Sequence, residues 1–160
     1  SLTDREAVID FVEQAYFGNV QRQDIAAVMD CFQPGAEVII RHGDKPIRQF
    51  ATATHGDTAD LREFYAHLCG NYDAWFGDFT HIVDVDAQRS ACYFTVRLTP
   101  KPEGLYADAG VQELQNCNFF EYENDRIRYM IIYYSNSDSA EGAPTGYPVK
   151  KRVIFTHFDA

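Results

Sequence analysis

The sequence predicts an α+β domain in which three N-terminal helices pack on a strongly bent antiparallel sheet. Three observations carry this. Apolar residues recur at helical spacing through the first third of the chain, the period changes to two from Phe79 onward, and short turns join neighbouring strand-like runs. Helices gathered first and strands afterwards argue against a parallel βαβ fold.

In the opening segment, Thr3 and Glu6 have the spacing of a capping box. Behind them Val8, Phe11, Val12, Ala15 and Tyr16 form one apolar stripe, which Gly18 and Asn19 are expected to end. Asp24 is placed to cap a second helix with the stripe Ile25, Val28, Met29 and Phe32, closed by Pro34 and Gly35. A short strand follows from Ala36 to Arg41, and then a loop rich in Gly, Thr and charge. Asp57 and Thr58 open a third helix, whose stripe is Leu61, Phe64, Tyr65, Leu68 and Tyr72. Trp75 and Phe76 lie close behind it, and Gly77 marks its end. The period-two segments are Phe79 to Asp86, Ser90 to Thr99, Ala109 to Tyr122 and Arg126 to Ser135. Residues 1–160 read as a single domain: a core at 2–135, a Gly/Pro/Ser loop at 136–148, and an extra strand within 149–158.

One hairpin can be read residue by residue. A two-residue turn at Asn124-Asp125 sets Glu123 opposite Arg126 and Glu121 opposite Arg128. In unbroken register Cys117, Phe119, Met130, Ile132 and Tyr134 share one face. Asn116, Asn118, Phe120, Tyr122, Ile127, Tyr129, Ile131 and Tyr133 share the other. Both faces are largely apolar, and three helices cover only one. The face carrying Cys117 and Phe119 is therefore expected to meet a second copy in a homodimer.

Composition narrows the partners. Lys and Arg total 14 against 24 Asp and Glu, a formal charge of −10. Such a surface repels phosphate backbones and anionic lipid, so neither nucleic acid nor membrane is an expected partner. The four cysteines, Cys31, Cys69, Cys92 and Cys117, form no CxxC pair and no metal-ligand spacing. They read as free thiols in a reducing compartment. With no signal-like opening segment, the expected location is cytoplasmic. Nothing has the pattern of a phosphate cradle, so the expectation is no cofactor and no metal. Aromatic residues make up 14% of the chain, more than one small core needs. The excess fits an apolar dimer surface in addition to the core.

The element order, with QDIAAVMDCFQPGAEVII early in the chain, resembles the nuclear transport factor 2-like superfamily in its SnoaL-like, ketosteroid isomerase and scytalone dehydratase branch. The resemblance runs from about Leu2 to Ser135. It implies a cone-shaped, cystatin-like α+β barrel with an apolar pocket at its open end, and dimers formed through the outer sheet face. Ile40 falls where the isomerases place a carboxylate base and the dehydratases a tyrosine. Isoleucine moves no proton, so the resemblance argues against steroid-type isomerisation here. Asn118 falls nearest the aspartate that donates to an oxyanion in the isomerases, and an amide can donate as well. His81 matches a pocket histidine of the dehydratases and Tyr16 their tyrosine near the end of the first helix, whereas Phe17 stands in place of the carboxylate that follows it.

The candidate catalytic set is thus His81 as acid or base, with Asn118 and Tyr16 holding an oxygen. Ile40, Tyr65, Trp75, Phe120, Tyr133 and Asn116 are the candidate ligand-binding residues. Each also has a plain structural role open to it: a core histidine bonded to a neighbour, amides that satisfy one another, tyrosines that fill space. Two functions fit. One is a cofactor-independent lyase or isomerase acting on a small apolar molecule. The other is a noncatalytic ligand-binding or dimerisation module of the same fold.

Overall fold

The structure, a computed structural model, describes residues 1–135. The loop expected at 136–148 and the strand expected within 149–158 lie outside the described residues. The first helix runs from Arg5 to Arg22 in three parts: α1 (Arg5–Asp10), a π-helical segment (Phe11–Phe17) and α2 (Gly18–Arg22). Its N-cap is Asp4, whose side chain accepts from the Ala7 amide, rather than Thr3. The helix also crosses Gly18 and Asn19 without a break and ends at Gln23, which is left-handed with φ 64°. Glycine permits a stop but does not enforce one. The π turn is wider than an α turn by one residue. That slip turns both Tyr16 and Phe17 into the core beside Val12 and Val20.

Asp24 caps α3 (Ile25–Met29), accepting from the Ala27 amide as its spacing predicts. The third helix, α4 (Leu61–Asn71), is capped by Asp60. Thr58, the expected opener, instead closes a turn with His55. The helix stops at Asn71, so Trp75 and Phe76 belong to the following strand. Among the described residues no helix is long and apolar enough to cross a membrane.

Seven strands form one curled, unclosed sheet: β1 (Phe32–His42), β2 (Arg48–Ala51), β3 (Ala59–Asp60), β4 (Tyr72–Asp84), β5 (Arg89–Pro100), β6 (Gln112–Glu123) and β7 (Arg126–Tyr134). Their order is β3-β2-β1-β7-β6-β5-β4. The sheet is mixed rather than wholly antiparallel, because β1 runs parallel to β7 and β2 parallel to β3. The four later strands form an antiparallel meander, and β1 and β2 also pair antiparallel. The helices lie on the concave face and close the core with it.

The β6–β7 hairpin corrects the register read from the sequence. Glu123 pairs with Arg126 and Tyr122 with Ile127, but Glu121 pairs with Tyr129. Arg128 is therefore the extra residue of a β-bulge, and it still ion-pairs with Glu121. Beyond the bulge every β7 side chain is on the face opposite to the expected one. Met130 and Ile132 are buried in the core, and Tyr134 packs against that core; none of the three belongs to an outer dimer face. Tyr133, expected inside, is 45% exposed on the convex face. Cys117 and Phe119 do lie on that convex face, level with Tyr133 and Ile131.

Candidate functional site

The strand registers place His81, Cys92, Asn118, Ile132 and Ile40 on a single rung across five strands of the concave face. Three sequence candidates thus share one row, yet they do different things. Ile40 is wholly buried and acts as packing. The His81 side chain, 6% exposed, brings its Nε2 to 2.7 Å from Glu13 Oε2 on the π segment. Its Nδ1 is buried without a partner among the described residues. His81 also stacks on Phe79 at 5.6 Å. It ties β4 to the first helix and lines neither of the two cavities described next.

The inner cavity is small, about 30 Å³, and sits between the first helix, α4 and β6. Tyr16, Tyr65, Asn116 and Asn118 line it together, so four of the nine candidates converge as expected of a cone interior. The Tyr16 and Tyr65 hydroxyls are 2.7 Å apart. Two hydroxyl protons enter that pair and one is spent in it, so the second has no acceptor among the described residues. Burial raises both phenols well above their usual range, which keeps them neutral donors. Asn118 is 1% exposed, and its Nδ2 finds only Met130 Sδ at 3.6 Å. Its Oδ1 has no partner among the described residues. Asn116 is engaged, its Oδ1 accepting from the Ser135 amide at 3.3 Å. Phe120 lies below the cavity, edge-on to Tyr16 at 5.8 Å.

The outer cavity holds about 610 Å³, enough for a drug-sized molecule. Its apolar walls are Phe64, Leu68, Leu98 and Leu114, and its polar groups include His42, His67, Tyr72, Tyr106, Lys45 and Arg48. Phe64, Leu68 and Tyr134 line both cavities, so these three side chains form the partition between wide mouth and narrow tip. Asn71 builds one wall: its backbone carbonyl accepts from Lys101 N and its side chain from Leu105 N, which holds the β5–β6 connection in place. Tyr106 then stacks on Tyr72 at 5.5 Å and meets His67 Nε2 at 3.1 Å.

Two sequence candidates are not in the cone. Trp75 lies across Gly77, where a Cβ would come within 2.4 Å of its ring, and Arg97 covers it at 4.9 Å. Its partner in register is Arg97 on the convex face, so the ring faces outward. Tyr133 is outside because of the Arg128 bulge. Conversely, His42, His67, Tyr134 and Arg48 line the outer cavity and are not among the ligand-binding candidates read from the sequence. The hairpin register contains the signal for Tyr134 once the bulge is known; His67 and Arg48 carry none. Among the described residues, no three His, Cys, Asp or Glu side chains gather as a metal site would require.

No family model matches this chain, and no curated protein does. Solved structures do match. A polyketide cyclase candidate from Xanthomonas campestris superposes with a TM-score of 0.61 at 19% identity, over 84% of this chain and 93% of its own. A cystatin-like-fold protein of unknown function from Methylobium petroleophilum gives 0.60 at 17%, over 93% and 95%. The epoxide hydrolase/cyclase-like enzyme SalBIII, connected with pyran ring formation in salinomycin, gives 0.58 at 15%, over 81% and 88%. At these identities the likeness shows the fold alone, a cystatin-like α+β fold.

Proposed function

We propose that this protein takes a small, mainly apolar molecule into the outer cavity and holds one of its oxygens at the inner tip. The observation that carries this is that the two cavities share Phe64, Leu68 and Tyr134 as a common wall, with an unspent tyrosine proton and the unpartnered Asn118 Oδ1 beyond that partition among the described residues. A carbonyl or developing oxyanion reaching the tip accepts from Tyr16 or Tyr65. The Asn118 amide adds a second donor when turned with Nδ2 toward the tip. Buried neutral phenols suit this task because they donate without losing their protons. The reaction class of this proposal is cofactor-independent lyase, isomerase or cyclase chemistry, and the cyclase and cyclase-like neighbours support its cyclase part. In this reading His81 is a positioning residue, fixing Glu13 and the π segment that carries Tyr16.

Phenylnaphthylamine, a neutral fluorescent probe, tests the pocket. It is expected to bind the native protein and to lose at least about tenfold in affinity in Leu68→Glu, where a charge enters the apolar throat. Equal binding by the two proteins overturns the reading. Asn118 supplies a separate test. A buried amide oxygen without a partner costs about 1–3 kcal/mol, so Asn118→Leu should raise stability by roughly 1–2 kcal/mol in urea unfolding. A net loss of stability in that variant would show Asn118 to be a structural partner rather than a group kept free for a ligand.

We also propose a homodimer through the convex face, on revised residues. Cys117, Phe119, Ile131 and Tyr133 form its centre, extended by Tyr93 at 49% and Ile82 at 73% exposure. Ion pairs of Glu121 with Arg89 and Arg128 flank it. Sedimentation should report a dimer for the native chain and a folded monomer for Tyr93→Asp/Tyr133→Asp. A native chain that is monomeric at about 100 μM, far above the Kd of a stable dimer, rules this out.

A further inference from the structure

The outer cavity has an uneven charge that its apolar walls do not need. In a chain of net charge −10, no Asp or Glu among the described residues lines it, while Lys45, Arg48 and His42 gather at one end. Asp44 belongs to the same turn but does not line the cavity. Several arginines elsewhere are matched, Arg89 and Arg128 with Glu121 and Arg97 with Glu113, while Arg22, Arg41, Arg62 and Arg126 form no ion pair among the described residues. Lys45 and Arg48 form no ion pair among the described residues. Local structure puts them there. The Lys45 amide bonds the His42 carbonyl to close the turn after β1, and Arg48 is the register partner of Ile40 at the start of β2. Their charges converge. The His42 imidazole is lowered by burial first and then by both Lys45 and Arg48, while Arg48 pulls down the otherwise raised Tyr134 phenol.

We infer that the ligand of this cavity is an anionic amphiphile, an apolar body carrying one carboxylate-like group that is held by Arg48 and Lys45. Two unpaired cations at one end of an apolar cleft repel each other, and an anion between them relieves that repulsion while making charge-assisted hydrogen bonds. The apolar body then lies along Leu98 and Leu114 toward the partition, leaving the inner tip for an oxygen at the far end. This rests on the pocket reading above and adds the charge of the molecule. It also accounts for an acidic protein binding an anion: the local field at the cleft, not the net charge, faces the ligand.

Two fluorescent probes of the same ring system separate the two ideas: anilinonaphthalene sulfonate, which is anionic, and neutral phenylnaphthylamine. The native protein should bind the sulfonate at least about tenfold more tightly, and that preference should collapse in Lys45→Gln/Arg48→Gln. Raising salt from about 20 mM to about 500 mM should weaken the sulfonate complex more than the neutral one. Both substituted residues are exposed, so the variant remains folded. Binding of the neutral probe with no sulfonate preference, or a preference that survives the double substitution, overturns the inference and leaves the pocket standing. Binding of neither probe overturns both.

Discussion

Deleting Ile131 from β7 should unfold the protein, whereas deleting Arg128, three residues earlier, should leave it folded. The contrast follows from the bulge. Residues 127, 130 and 132 face the core, so Arg128 and Tyr129 stand successively on the outside. Removing Arg128 restores plain alternation: Glu121 still pairs with Tyr129, and Phe120 with Met130. The loss is one exposed ion pair to Glu121, worth under about 1 kcal/mol. Removing Ile131 has no such remedy. If the bulge stays, Ile132 and Tyr134 swing outward; if it is given up, Met130, now wholly buried, goes out and Tyr129 is forced in. Either frame costs on the order of 3–6 kcal/mol, comparable with the whole stability of a small domain. Urea midpoints and near-UV circular dichroism of the two deletions measure this. Equal costs would mean that the bulge does not set the register.

The same bulge shows where sequence reasoning reached and where it stopped. Apolar spacing and cap chemistry are local, and they located the second helix with its Asp24 cap, the body of the third helix, and the last three strands to within a few residues, whereas β4 starts at Tyr72, well before the expected Phe79. The faces of β6 were also legible, because Asn116, Asn118 and Phe120 alternate cleanly up to the turn. Beyond the turn, RYMIIYY is apolar on both faces. Neither frame is penalised by composition, and the choice falls to packing against β1, which no local pattern reports. The parallel β1–β7 pairing is hidden for the same reason, since it joins segments about ninety residues apart.

The site divides along similar lines. Tyr16, Tyr65, Asn116 and Asn118 were legible because their neighbours' period fixes a face, and each face is inward. Trp75 was misplaced because a helix was carried past Asn71 into a strand. The partner of His81 could not be foreseen, because Glu13 reaches it only after the π turn rotates the first helix. Lys45 and Arg48 look like ordinary solvated charges in a turn. Only the closure of the sheet gives them a cavity to face.

Raising the pH should abolish stability, and the steepness will reflect the buried phenols and thiols. Tyr16, Tyr65 and Tyr122 are all raised, each by burial first, and Cys92 is raised in the same way. Burial likewise pushes the Cys31 thiol up to about 12, helped by Asp30. The sign is common to all five. A raised folded pKa means that the unfolded chain gives up its proton first, so the stabilisation is complete below the unfolded pKa and is lost as pH climbs toward the folded one. The thiols begin the loss near pH 9 and the phenols near pH 10. Above its unfolded pKa each contributes about 1.4 kcal/mol per pH unit, enough together to exhaust a stability of roughly 5–15 kcal/mol within about two units. Urea midpoints between pH 8 and 11 test this, with Tyr16→Phe expected to make the decline shallower by one ionisation. A midpoint that stays level through about pH 10.5 would mean that these hydroxyls ionise in the folded state. They would then be reachable by water and able to exchange protons, and the inner tip would work as an acid and base rather than as a pair of fixed donors.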